Sequence, residues 1–169
     1  MVVIVFGLPG SGKTYFANRL AQILNADYIS SDKLRKQMFM AQTYSEEEKL
    51  KVYDEMLHLM KLASAKNKDV VLDATFHKNK IRNKFINEAK MQDYVFVIEV
   101  YAEEDLVKER LSLSRQDSDA DLEVYEKIKQ EWEPYYEEHL FLRSANNNIT
   151  EMLEHTADYL FATNDKRKY

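Results

Sequence analysis

The stretch Gly7-Leu8-Pro9-Gly10-Ser11-Gly12-Lys13-Thr14 has the pattern Gly-x-x-x-x-Gly-Lys-Thr, a spacing that gathers anion-binding groups into one short loop. Successive backbone N–H groups in such a loop curl around a phosphate, and a helix starting near Lys13 turns its positive dipole end toward the same anion. Lys13 supplies a mobile ammonium for the β and γ phosphates of a nucleotide. The Thr14 hydroxyl is a hard oxygen ligand suited to Mg²⁺. The chain has three glycines in all, and every one lies in this loop. Glycine is used where the backbone takes positive φ or approaches a ligand closely, so that freedom is spent in one place. Their scarcity elsewhere excludes a GTPase switch of the Asp-x-x-Gly type.

A nucleotide site needs an acceptor side before it names a reaction. Ser30-Ser31-Asp32 follows a short apolar stretch, and Arg35 lies three residues on, so Asp32 and Arg35 can share one face of a helix's first turn. An Asp there can take the proton of an attacking hydroxyl, and Arg35 can orient it or grip an anionic acceptor. The same spacing equally describes a helix cap followed by a solvated charge. Val70-Val71-Leu72-Asp73 is an apolar run ending in a carboxylate, able to hold a Mg²⁺-bound water or to tether Arg35; Ala74 and Thr75 continue it. His77 reads as a surface residue. Lys78, Lys80, Arg82 and Lys84 read first as the solvated face of a helix whose Ile81, Phe85 and Ile86 point inward. Arg110 and Arg115 lead into a polar segment of the kind that closes over a nucleotide, where guanidinium groups neutralise phosphoryl oxygens. Trp132, Pro134, Tyr135 and Tyr136 read as packing residues.

These groups must be held by alternating strands and helices. Strands are expected at Val2–Phe6, Asp27–Ile29, Val70–Leu72, Tyr94–Tyr101 and Leu140–Leu142. The first helix spans about Lys13–Leu24, with Phe16, Leu20, Ile23 and Leu24 on its apolar face. A second helix, capped by Ser30 or Ser31, runs to about Met40. Ser45 with Glu48 forms a capping box for a long helix to about Lys66, whose stripe is Leu50, Tyr53, Leu57 and Met60. Further helices are expected at about Asn79–Met91, Glu103–Leu113, Asp121–Glu133 and, capped by Asn148, to Phe161, with a frayed tail from Asn164. This alternation implies an α/β fold with a mainly parallel sheet, and no linker divides it.

The composition agrees with a single globular domain. The chain has 169 residues, 45% of them hydrophobic and 31% charged, and a net charge of −5, which does not favour sequence-independent binding of long nucleic acid. There is no Cys, so disulfides, thiolate catalysis and cysteine-bound zinc are excluded, and a cytoplasmic location is the better expectation. No run approaches the roughly 18 apolar residues of a membrane helix.

Gly7–Thr14, Ser30-Ser31-Asp32-x-x-Arg35, Val70–Thr75, and Arg110-x-x-x-x-Arg115 followed by Asp117-Ser118-Asp119-Ala120-Asp121, taken in this order, resemble the P-loop kinase family that includes phage-type polynucleotide 5′-kinases, zeta toxins and many bacterial kinases. The resemblance implies a three-layer α/β/α fold of an AAA-type P-loop domain, with a five-stranded sheet and a lid over about 110–121. It implies ATP and Mg²⁺ as cofactors and γ-phosphoryl transfer to a hydroxyl acceptor. Lys13, Asp32 and Arg115 would be catalytic, with Asp32 as base. Gly7–Thr14, Arg110 and Arg115 would hold the nucleotide; Asp32, Arg35, Asp73 and Thr75 the acceptor side; Thr14 and Asp73 the metal. A nucleoside monophosphate kinase and an ATP-binding regulatory protein are the alternatives.

Overall fold

The computed structural model describes residues 1–41, 43–113 and 122–165, with side chains to 162. Arg115 and most of the expected lid, residues 114–121, lie outside them. The strands are β1 (Val2–Phe6), β2 (Asp27–Ser30), β3 (Val70–Asp73), β4 (Val95–Tyr101) and β5 (Leu140–Arg143). The helices are α1 (Lys13–Leu24), α2 (Ser31–Met38), α3 (Glu46–Ala65), α4 (Asn79–Lys90), α5 (Glu104–Ser112), α6 (Leu122–Gln130) and α7 (Ile149–Asp165). The sheet order is β2-β3-β1-β4-β5, and every pairing is parallel.

Central β1 is covered on both faces, which is why it reads as an unbroken apolar run. Val3 and Val5 pack with Phe16, Ala17 and Leu20 of α1 and Met152 and Leu160 of α7. Val2, Ile4 and Phe6 pack on the other side with Val52, Met56 and Met60 of α3 and Phe85 and Ala89 of α4. The result is three layers. Chain direction across the sheet reverses at β1, because β3 lies on one side of it and β4 on the other. Ligands of open α/β sheets bind in the crevice beyond the strand ends at such a switch point. Register sharpens this: Asp73 is level with Val5 of β1 and Ser30 of β2, so the ends of β1, β2 and β3 deliver their loops side by side.

Several sequence expectations give way. On α1 the buried face is Phe16, Ala17, Leu20 and Ala21, while Ile23 is exposed; two alanines let the helix lie close on the sheet. On α3, Leu50 is exposed and the stripe is Val52, Tyr53, Met56, Leu57, Met60 and Ala63, a face rotated toward Val52. Ser45 caps α3 by accepting the Glu48 N–H, but the Glu48 carboxylate reaches back to Thr43, accepting its N–H at 2.7 Å and its hydroxyl at 2.9 Å. Helix α2 stops at Met38, and α7 continues past Phe161 to Asp165.

The basic cluster departs most. Arg82 is fully buried, and His77 is also buried. Arg82 Nη1 donates to the Phe76 carbonyl at 2.6 Å and Nη2 to Asn79 Oδ1 at 2.6 Å, with a further bond to the Glu133 carbonyl. Its guanidinium lies 5.0 Å from the Phe6 ring centre and faces Trp132 and Tyr135 as well. The segment after α6 is thereby strapped across the end of β1. Glu133 accepts the Asn79 N–H at 2.7 Å, and its own N–H donates to the His77 carbonyl at 3.0 Å. Trp132 stacks on Phe6, and Tyr135 meets it edge-on, as packing residues should. Tyr136 is instead exposed.

Candidate active site

The loop after β1 needs glycine for steric reasons. A Cβ on Gly7 would strike the Val100 carbonyl of β4. Gly12, the N-cap of α1, has φ +89°, and a Cβ there would lie 2.5 Å from Ser144 Oγ. Ser11 N–H donates to the Leu8 carbonyl at 3.2 Å, which closes the loop on itself. Leu8 and Pro9 carry the chain around, and Ser11 Oγ is buried without a partner among the described residues.

A cleft of about 650 Å³ opens in front of this loop. Gly10, Gly12, Lys13 and Thr14 form its floor. Asp32 and Lys33 from the first turn of α2 close one side, and Arg110 of α5 with Ser144, Ala145 and Asn146 closes another. Tyr15 and Asn18 of α1 and Ile149 and Met152 of α7 complete the wall. Lys13 is buried. Arg110 Nη1 donates to the Gly10 carbonyl at 3.3 Å and to Ser144 Oγ at 3.1 Å, and Nη2 to Asn146 Oδ1 at 3.4 Å. It therefore joins the rim of the anion loop to the β5–α7 turn.

Asp32 stands opposite Lys13 with a third of its side chain exposed. Loss of hydration pushes its carboxyl above the ordinary value; Lys13 pulls it back, Asp73 adds repulsion, and Arg35 and Lys36 oppose. Arg35 is neither a plain solvated charge nor a free gripping group. It is buried, with Nη1 3.5 Å from Asp32 Oδ1 and Nε 2.8 Å from Glu48 Oε1, and its guanidinium lies 4.8 Å over the Tyr44 ring. Burial opposes charge on Glu48, yet its Thr43 and Tyr44 donors and Arg35 hold the carboxyl below its usual value. Arg35 thus ties the first turn of α2 to the start of α3.

Asp73 does not tether Arg35. Its Oδ2 accepts the Tyr28 hydroxyl at 2.7 Å, and Oδ1, which is buried, has no hydrogen-bond partner among the described residues. A carboxylate oxygen left unpaired in the interior is costly, and it is a hard donor of the kind Mg²⁺ takes; Asp73 does not itself line the cleft but lies close enough to Asp32 of its wall to repel that carboxylate. The observed donor set therefore fits Mg²⁺. Thr75 lies past β3, half-buried and outside the cleft wall. His77 Nε2 is 3.5 Å from Glu131 Oε2, and burial, helped by Lys49 and Lys78, lowers its pKa against Glu131 and Glu46.

Sequence reasoning missed Glu48, Tyr28, Lys33 and the Ser144–Asn146 turn. The run Asn146-Asn147-Asn148 after a short apolar strand was a signal for the turn, since polar residues beyond a strand's carboxyl end line such crevices. Nothing in the spacing announced Glu48 as the partner of Arg35.

The AAA domain family matches residues 2–135. An Aeropyrum pernix protein described as a probable adenylyl-sulfate kinase is 25% identical over 171 residues, covering 96% of this chain and 91% of that one. The Mycobacterium tuberculosis APS kinase, solved in complex with AMPPNP and APS, superposes with a TM-score of 0.71 at 17% identity, covering 94% of this chain and 96% of that one. A gluconokinase from Sinorhizobium meliloti 1021 superposes with a TM-score of 0.70 at 15% identity, over 96% of each chain. The chain belongs to the AAA domain family.

Proposed function

We propose that the protein transfers the γ-phosphoryl group of ATP, with Mg²⁺, to a hydroxyl group of a small acceptor. The observation that carries this reading is the cleft itself, where Asp32 faces Lys13 across the floor of an anion loop. The loop's N–H groups, the α1 dipole and Lys13 bind and orient the triphosphate. Thr14 and Asp73 would hold Mg²⁺, which neutralises phosphate charge and aligns the leaving group when bound. Asp32 accepts the acceptor's hydroxyl proton as its oxygen bonds to the γ-phosphorus and the bridging oxygen departs with ADP. Its raised pKa makes it a stronger base than an ordinary surface carboxylate. Arg35 fixes Asp32, and Arg110 sits where it can cover the phosphates; Arg115 would join it from the lid.

Arg35 bears on the acceptor. Its guanidinium is buried and lies in ion-pair contact with Glu48 at 2.8 Å and Asp32 at 3.5 Å, so gripping a nucleoside monophosphate would compete with two carboxylates already beside it. This favours a hydroxyl acceptor over a nucleoside monophosphate. No helix among the described residues is long and apolar enough to cross a membrane; the cytoplasmic location we propose rests on the cysteine-free composition instead. The test is γ-³²P-ATP offered with Mg²⁺ to adenylyl sulfate, sugars, sugar acids, nucleosides, nucleoside monophosphates and 5′-hydroxyl oligonucleotides. Label on a hydroxyl acceptor is expected. Release of inorganic phosphate alone across the panel would replace this reading with that of an ATP-binding regulatory protein.

A further inference from the structure

We propose that Tyr28 is a positioning residue: its hydroxyl pins one oxygen of Asp73 and thereby turns the other toward the nucleotide-bound Mg²⁺. The inference rests on the reading of Asp73 as a metal-holding residue given above. Tyr28 lies on edge strand β2, level with Val71, and Ser30 is level with Asp73. Side chains two apart on a strand share a face, and an aromatic can reach the diagonal neighbour on the next strand. Tyr28 does so, donating to Asp73 Oδ2 at 2.7 Å. The Lys33 ammonium lies 4.7 Å over the Tyr28 ring.

A carboxylate on its own turns freely about its last torsion, which has broad, two-fold minima. One strong donor at Oδ2 removes that freedom and leaves Oδ1 as the presented oxygen, the atom found buried and unpartnered. A phenol suits this task better than Lys or Arg. It carries no charge to compete with a cation, and its single O–H is the donor seen on Asp73 Oδ2. Outer partners that orient a metal-holding side chain are worth about ten- to a hundredfold in metal affinity.

The experiment titrates Mn²⁺, followed by its electron paramagnetic resonance signal, into protein saturated with AMPPNP. Wild type, Tyr28→Phe and Asp73→Asn are compared, with metal-free AMPPNP affinity and the urea midpoint measured for each. Tyr28→Phe keeps the ring and its Lys33 contact and is expected to weaken Mn²⁺ binding about tenfold with metal-free AMPPNP affinity unchanged. If Asp73→Asn weakens Mn²⁺ binding and Tyr28→Phe does not, the inference is overturned while the reading of Asp73 stands. If Asp73→Asn has no effect, that reading falls and the inference with it. A Tyr28→Phe protein that loses metal-free and metal-dependent binding equally, with a lowered midpoint, has lost only structure, which also overturns the proposal.

Discussion

Replacing Glu48 by Ala should test whether the tie between α2 and α3 is a buried ion pair. Both side chains are at most 10% exposed, and Arg35 Nε is 2.8 Å from Glu48 Oε1. Removing one partner of such a pair strands the other charge in the interior, at a cost of about 3–5 kcal/mol. The Thr43 donors also lose their acceptor, but Thr43 is exposed and water replaces it cheaply. At about 2–4 °C per kcal/mol for a domain of this size, the melting temperature should fall by roughly 6–20 °C. The chain's single Trp, Trp132, stacks on Phe6, so its fluorescence during urea unfolding reports the packing at the end of β1, and far-UV circular dichroism checks that both probes agree. Glu48→Gln, which keeps the size and the acceptor for Thr43, should lie between wild type and Glu48→Ala. Arg35→Met combined with Glu48→Leu should recover most of the loss, because no charge then remains buried. A Glu48→Ala loss below about 1 kcal/mol would show that the pair behaves like a solvent-screened surface contact and would refute the reasoning.

Gly12→Ala places a Cβ in the left-handed region, a strain of about 1–2 kcal/mol, and 2.5 Å from Ser144 Oγ. Calorimetry should show AMPPNP binding weakened about tenfold or more with the circular dichroism spectrum unchanged; undiminished affinity would mean the loop tolerates a side chain. His77 gives a pH signature. Its folded pKa lies below its ordinary value, so below about pH 6.5 the unfolded chain binds the proton more readily and stability falls as pH drops. Urea midpoints between pH 5 and 8 should therefore decline less steeply toward acid in His77→Gln than in wild type. Identical slopes would assign the acid sensitivity to other groups.

The place of the Gly7–Thr14 loop between β1 and α1 was legible because its pattern is local to eight consecutive residues, and the flanking strand and helix declare themselves by periodicity. The placement of Asp32 on the cleft wall and of Asp73 at the end of β3 was legible through a topological rule, since parallel strands send their carboxyl ends to one edge. Arg82 was misread although a signal existed. Positions 82, 85, 86 and 89 are helical spacing, and Arg82 occupies the same stripe as Phe85, Ile86 and Ala89; its charge masked its face. The burial of His77 was not legible, because the strap over it comes from Glu131–Glu133, more than fifty residues later. The Arg35–Glu48 pair was hidden for the same reason. Long-range pairs leave no periodic trace, and a charged residue reads as solvated until its partner is found.

The central claim is that Asp32 takes the acceptor's proton while the loop holds ATP. It is tested most directly by measuring γ-³²P transfer and AMPPNP binding on Asp32→Asn with the best acceptor from the panel. AMPPNP affinity should stay within about threefold of wild type, while transfer falls about 10²–10⁴-fold, the range expected for loss of a general base. Wild-type kcat/KM should rise with pH through an inflection above the ordinary carboxylate value, as the raised Asp32 pKa requires. An Asp32→Asn protein that transfers phosphate at the wild-type rate would contradict the account.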